Sequence, residues 1–119
     1  DELISKSDII SFHCKAPKDG KPMISKEHYK KMKPTSYIIN AARGNIVDEK
    51  DLNEALNEGL IAGAALDVFA EEPPTDEEFL SLSNLMVTPH IGGNAKEAVE
   101  AMGRSAIDHL IAFFNDPHK

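Results

Sequence analysis

Short apolar bursts alternate with longer mixed stretches along this chain, and most bursts are too brief for a helix of useful length. Asp8-Ile9-Ile10-Ser11-Phe12-His13 is rich in branched and aromatic side chains and reads as a buried first strand over residues 8–13. A loop holding Pro17, Gly20 and Pro22 follows. Ser25 then stands as the N-cap of a short helix that Pro34 must end, because proline lacks a donor and clashes with the preceding turn. Tyr37-Ile38-Ile39-Asn40 forms a second strand, closed by the small residues Ala41 and Ala42 and the turn signal Arg43-Gly44. Asp48 can cap a helix whose apolar Leu52, Ala55 and Leu56 fall at i, i+3 and i+4, with Gly59 at its C-terminal end. Residues 61–68 are almost wholly apolar and small, as a central parallel strand covered on both faces would be. An acidic, proline-containing loop follows, in which Thr75 or Asp76 caps a short helix, and Leu85-Met86-Val87 makes a fourth strand. After Gly92-Gly93, the residues Ala95, Ala98, Val99, Met102, Ala106, Leu110 and Phe113 share one helical face, predicting a long amphipathic helix from about Lys96 to Phe114.

Strands alternating with helices at this spacing predict an α/β domain with a mainly parallel sheet joined by right-handed crossovers. In such open sheets ligands bind beyond the carboxyl ends of the strands, so the residues just after each strand are the first candidates for chemistry. Four ends present themselves: His13-Cys14, Ala42-Arg43-Gly44, Asp67 with Glu71-Glu72-Pro73, and His90 with Gly92-Gly93. A cation, carboxylates and an imidazole are thereby expected to converge on one crevice, although far apart in sequence.

Composition narrows the partners. The 119 residues suit one domain, and 41% hydrophobic with 28% charged residues is the make-up of an ordinary globular protein rather than a disordered one. A formal net charge of -7 repels a phosphate backbone or an anionic lipid surface, so neither nucleic acid nor a membrane is an expected partner. The single cysteine, Cys14, can make neither an internal disulfide nor a multi-thiolate metal site, which points to a reducing compartment such as the cytoplasm. Five histidines raise the question of a metal, but His13, His28, His90, His109 and His118 show none of the short spacings a zinc site favours, and no metal is expected. The chain opens on Asp1 rather than Met, within what reads as a helix tail, and is expected to be a fragment or a processed product.

Three blocks carry a family likeness: Ile39-Asn40-Ala41-Ala42-Arg43-Gly44-Asn45-Ile46-Val47-Asp48, Ala65-Leu66-Asp67-Val68-Phe69-Ala70-Glu71-Glu72-Pro73-Pro74, and Thr88-Pro89-His90-Ile91-Gly92-Gly93. In wording, order and spacing they resemble the signature blocks of D-isomer-specific 2-hydroxyacid dehydrogenases, and the likeness extends over nearly the whole chain. The Phe69–Pro73 and His90–Gly93 wording is most similar to the phosphoglycerate dehydrogenase branch. The resemblance implies a partial Rossmann-like nucleotide-binding domain, residues 1–119 being its C-terminal portion. It also implies NAD as cofactor, a 2-hydroxy or 2-keto acid as substrate, and a homodimer.

By the same resemblance Arg43 matches the substrate-binding arginine, whose planar fork suits a carboxylate. His90 matches the general acid/base, a task that suits an imidazole, whose unperturbed pKa is about 6.5. Glu72 matches the carboxylate that orients the imidazole and favours its protonated form, with Glu71 the nearest rival. Ala41, Ala42, Arg43, Asp67, His90, Ile91, Gly92 and Gly93 are assigned to the nicotinamide side of the cofactor site. The glycine-rich phosphate loop and the acidic residue that holds the adenosine ribose are not found, nor is the substrate domain, so no turnover is expected of the isolated chain. The likeness breaks after the first strand. There His13-Cys14-Lys15-Ala16-Pro17 replaces the family's His-x-Pro-x-Thr, in a loop that in the family lies near the cofactor, with Lys15 at the proline position.

Each assignment has a plainer reading from the residues alone. Arg43 could be a solvated loop arginine, and His90 a turn histidine bonded to the backbone. Asp67 could simply end its strand, and Cys14 be a small packed thiol. Gly92 and Gly93 could merely permit a turn, or leave backbone N–H groups free for an anion. His28, His109 and His118 read as surface residues of helices or the tail. The competing function is an NAD(H)-binding interaction module without turnover, like the corepressor proteins that resemble this dehydrogenase family.

Overall fold

A computed structural model describes residues 1–116; His118 lies outside the described residues. In chain order the elements are α1 (Glu2–Lys6), β1 (Ile9–Phe12), α2 (Lys26–Tyr29), β2 (Tyr37–Asn40), α3 (Glu49–Asn57), β3 (Gly63–Leu66), α4 (Glu77–Leu80), β4 (Leu85–Val87) and α5 (Lys96–Phe114). A 3-10 turn at Gly44–Ile46 separates β2 from α3. The four strands form one parallel sheet in the order β1-β2-β3-β4, with Ile10, Ile38, Ala64 and Leu85 in register across it.

This order moves one strand at a time in one direction. Right-handed crossovers then place every connection on the same face of the sheet. The burial pattern agrees: Ile10, Phe12, Ile38, Asn40, Ala64 and Leu66 point into the buried side. There Tyr29 of α2, Leu52, Ala55 and Leu56 of α3, and Phe79 of α4 close the core. Asp48 caps α3 through the Asp51 N–H and Asp76 caps α4 through the Phe79 N–H, as the sequence suggests. Gly59, just past α3, has φ +68°. His28 is more than a surface residue, because its Nδ1 accepts the Ser25 N–H at 3.1 Å and closes a capping box at the start of α2.

Two expectations need correction. The third strand is shorter than residues 61–68 and is not covered on both faces. On the side opposite the core, Ile9, Tyr37, Ile39 and Met86 are exposed, Ala65 is half-buried and Gly63 is covered beside the Tyr37 ring. The long helix forms where predicted, yet none of its residues is buried. Its apolar stripe is therefore real as a pattern but is not packed on the sheet. At about 1.5 Å per residue this helix is a main reason the molecule extends to 60 Å along its principal axis. No helix among the described residues is long and apolar enough to cross a membrane.

Two connections set up the strand ends. Ile24 and Val47 form an isolated parallel bridge, with the Met23 N–H on the Ile46 carbonyl at 2.8 Å, which binds the loop after β1 to the turn after β2. Gly44 fits tightly against the backbone after β3, since a Cβ there would lie 2.0 Å from the Phe69 carbonyl carbon and 2.4 Å from the Ala70 nitrogen. No rotamer relieves a clash between Cβ and backbone. Gly44→Ala is accordingly expected to cost about 3 kcal/mol, at the upper end of overpacking penalties. Urea unfolding checks this, and a loss under about 0.5 kcal/mol would contradict the close approach.

Candidate active site

The turn after β2 is built around one buried amide. Asn40, only 1% exposed, donates from Nδ2 to the Arg43 carbonyl at 2.9 Å and accepts the Ala42 N–H at 3.2 Å. Arg43 itself is exposed, with Nη1 on the Ala42 carbonyl at 2.6 Å, and among the described residues no carboxylate pairs with it. With Ala41, Ala42 and the His13–Lys15 segment it lines a cavity of about 350 Å³ at the ends of β1 and β2.

Asp67, the first residue past β3, organises the loop that follows β4. Its Oδ1 accepts the Thr88 hydroxyl at 2.5 Å and the Ile91 N–H at 2.9 Å, while Oδ2 accepts the Gly92 N–H at 2.8 Å. These bonds grip the chain on both sides of His90, whose φ of +53° lies in the left-handed region that non-glycine residues seldom adopt. Such backbone persists only where its surroundings over-determine it, and three bonds to one carboxylate do so. A Cβ on Gly92 would come within 2.9 Å of Asp67 Oδ2, so the close approach requires glycine there. The Thr88 hydroxyl, with the Ile91 and Gly92 N–H groups, holds the Asp67 carboxyl below its ordinary range against the opposing effect of burial.

Glu72 reaches His90 from the loop after β3. Its Oε1 accepts the Phe69 N–H at 3.0 Å and its Oε2 meets His90 Nδ1 at 2.8 Å. The imidazole bond first, and the Phe69 N–H second, lower the Glu72 pKa from its usual value. An ionised carboxylate can only accept, so Nδ1 must carry the proton. In the neutral ring Nε2 then holds a lone pair. Both side chains are partly exposed, 54% for His90 and 37% for Glu72, so the contact orients the ring more than it stabilises the fold. Beside them lies a largely apolar hollow of about 450 Å³ walled by Phe69, Pro73, Pro74, Leu80 and Val87.

The three catalytic candidates thus fall at the carboxyl ends of successive strands, but not in one cavity. Glu72 and His90 touch; Arg43 lines the neighbouring hollow. The Phe69–Ala70 backbone joins the two parts, since Gly44 packs against it while the Phe69 N–H holds Glu72. Glu71 is exposed, and it is Glu72 that meets the ring. Of the two glycines, Gly92 does not offer a free N–H to an anion, because Asp67 takes it together with that of Ile91. Cys14 is not a packed thiol: it is exposed, with Sγ on Met23 Sδ at 3.7 Å. Sequence reasoning missed Asn40, Gly44 and Thr88 as positioning residues. Asparagine before a turn was a usable signal for the first; the other two act through residues more than 20 positions away.

The anchoring role of Asp67 has a pH signature. A carboxyl whose folded-state pKa is depressed adds stability that is fully present above its unfolded value, about 3.9, and lost as pH falls through the folded value. Asp67→Asn is expected to be less stable than the parent at neutral pH, the difference narrowing below about pH 4. Denaturant midpoints across that range check it, and a pH-independent difference would contradict it.

Known proteins resemble this chain over most of its length. Residues 1–92 match the family model for the D-isomer specific 2-hydroxyacid dehydrogenase, NAD binding domain. The chain is 48% identical over 113 residues to a glyoxylate reductase of Pyrococcus furiosus, covering 95% of this chain and 34% of that protein. It is 43% identical over 114 residues to a glycerate dehydrogenase of Methylorubrum extorquens, covering 93% and 36%. Among solved structures, a glyoxylate reductase from Paecilomyes thermophila superposes with a TM-score of 0.90 at 31% identity, over 97% of this chain and 35% of that one. The chain therefore spans about a third of the length of the relatives it matches. The chain belongs to the D-isomer specific 2-hydroxyacid dehydrogenase family, its residues 1–92 matching that family's NAD binding domain.

Proposed function

We propose that this chain is the C-terminal portion of the NAD-binding domain of an oxidoreductase that interconverts a short 2-hydroxy acid and its 2-keto acid. The observation that carries the reading is the 2.8 Å contact between Glu72 and His90, which leaves Nε2 available to a substrate oxygen. Relatives named glyoxylate reductase and glycerate dehydrogenase favour glyoxylate or hydroxypyruvate as the keto acid over the 3-phosphoglycerate branch that the wording of the motifs suggests. The residues present suit the nicotinamide side of the cofactor: small Ala41 and Ala42 beside unpaired cations in one hollow, and Ala41, Asp67 and Thr88 around a smaller one of about 170 Å³.

NAD, when bound, supplies the hydride acceptor or donor. The chain's own groups hold the acid and move the proton. Arg43 can bind the substrate carboxylate through paired N–H donors, which fixes the carbinol carbon relative to the sheet. During oxidation the hydroxyl proton passes to His90 Nε2 while the carbinol C–H bond breaks with its electron pair leaving as hydride, and the C–O bond becomes a carbonyl. Glu72 faces the imidazolium so formed, and its negative charge offsets the new positive one. In reduction the same imidazolium returns the proton to the nascent alkoxide.

In the full-length polypeptide, His90→Ala is expected to lower kcat by a factor on the order of 10² or more, and Glu72→Gln by about tenfold through loss of ring orientation. Steady-state reduction of glyoxylate and hydroxypyruvate, with 3-phosphohydroxypyruvate for comparison, measures both the loss and the substrate preference. Near-normal kcat in His90→Ala would sink the mechanism. A wild-type protein that binds NADH and changes its assembly state without turning over any of the three acids would favour the interaction module.

A further inference from the structure

The loop that carries Glu72 is also held from a helix outside the strand ends. Glu49, the first residue of α3, is half-buried, and its Oε1 accepts the Ala70 N–H at 2.5 Å. The peptide unit that supplies this N–H is the same one whose Phe69 carbonyl and Ala70 nitrogen lie against Gly44. One peptide plane is therefore fixed twice by the segment between β2 and α3, once by contact and once by a hydrogen bond. The preceding N–H, that of Phe69, goes to Glu72 Oε1 at 3.0 Å, and Glu72 Oε2 meets His90 Nδ1 at 2.8 Å. Phe69 itself is buried, so its side chain pins the backbone between the two N–H groups. A line of contacts thus runs from Glu49 to the imidazole.

The start of α3 can bear this role because it is itself fastened. Asp48 accepts the Asp51 N–H at 2.9 Å, the Asp48 N–H donates to the Ile24 carbonyl at 3.1 Å, and Asp51 Oδ2 accepts the Lys26 N–H at 2.8 Å. Behind that turn Leu52, Ala55 and Leu56 are buried in the core. Of the three carboxylates, Glu49 alone reaches the loop after β3, and it has no ion-pair partner among the described residues. Ala70 is exposed, so water would satisfy its N–H if the carboxylate did not. What the carboxylate adds is a fixed direction. Resting on the proposed function, we infer that Glu49 is a positioning residue of the reaction: it holds the Phe69–Ala70 peptide so that the Phe69 N–H aims Glu72 at the His90 ring. It lines neither hollow at the strand ends and acts through Glu72.

Glu49→Ala and Glu49→Gln in the full-length polypeptide test this. Glutamine keeps an acceptor oxygen at the same reach, and alanine has none. Nitrogen-15 NMR of labelled histidine, with His90 assigned from the signal lost in His90→Ala, reads the share of the neutral ring protonated on Nδ1. Steady-state kinetics read kcat and KM for the keto acid, and circular dichroism confirms the fold. Glu49→Ala is expected to move the tautomer balance toward Nε2 and to lower kcat about fivefold, with KM within about twofold. Glu49→Gln is expected to return both to near the wild-type values. Should Glu49→Ala not fold, Glu49→Asp carries the same expectation, since it keeps the charge at the helix start but falls one methylene short of Ala70. A wild-type tautomer balance in the shortened variants overturns the role of Glu49 even if their stability falls, because a merely structural contact would not move the ring proton. A loss that Glu49→Gln does not relieve overturns it too. Wild-type protein that turns over no keto acid overturns the proposed function and with it the use of Glu49 in the reaction, whereas normal wild-type turnover with kcat unchanged in Glu49→Ala overturns this inference alone.

Discussion

A carboxylate can accept hydrogen bonds but cannot donate them, and the chain exploits that one-sidedness twice at the exit from β3. Asp67 gathers a hydroxyl and two backbone N–H groups from the loop after β4, and so fixes a turn that would otherwise be free to open. Glu72 takes a backbone N–H with one oxygen and the His90 ring with the other. The first carboxylate sets where the histidine backbone runs, and the second sets which ring nitrogen holds the proton. Both depend on the parallel sheet, which brings the ends of β3 and β4 side by side. Without that register neither acid would find its partners.

The elements were legible because their signals are local. Caps at Asp48 and Asp76, the bursts at Tyr37–Asn40 and Leu85–Val87, and the helical stripe from Lys96 to Phe114 all involve residues within a few positions of one another. Packing was less legible. The apolar make-up of β3 states that it can be covered, not by what, and the helices among the described residues cover one face only. The same holds for α5, whose periodicity reports a face without naming its partner. At the site, the motifs singled out Arg43, Glu72 and His90 as candidates, but the role of Asp67 as an anchor could not be read. It depends on Thr88, Ile91 and Gly92, which lie 21 to 25 residues further on.

Charge is distributed to match this division. Of the acidic groups at the strand ends, Asp67 is taken up by the loop after β4 and Glu72 by the imidazole, while Glu71 is exposed. Lys15 and Arg43, neither with an ion-pair partner among the described residues, line the hollow at the ends of β1 and β2. The sign of charge in that hollow is thus locally opposite to the net charge of -7 of the whole chain. The two hollows are separate, and the Phe69–Ala70 backbone against which Gly44 packs also holds Glu72.

The claim beneath all of this is that Glu72 fixes the tautomer of His90. Nitrogen-15 NMR of selectively labelled histidine, at a pH where the ring is neutral, reads it directly by distinguishing protonated from unprotonated ring nitrogens. The expected result is a proton on Nδ1 and a bare Nε2, with the preference lost in Glu72→Gln. A neutral ring protonated on Nε2, or a tautomer balance that ignores the substitution, would contradict the account.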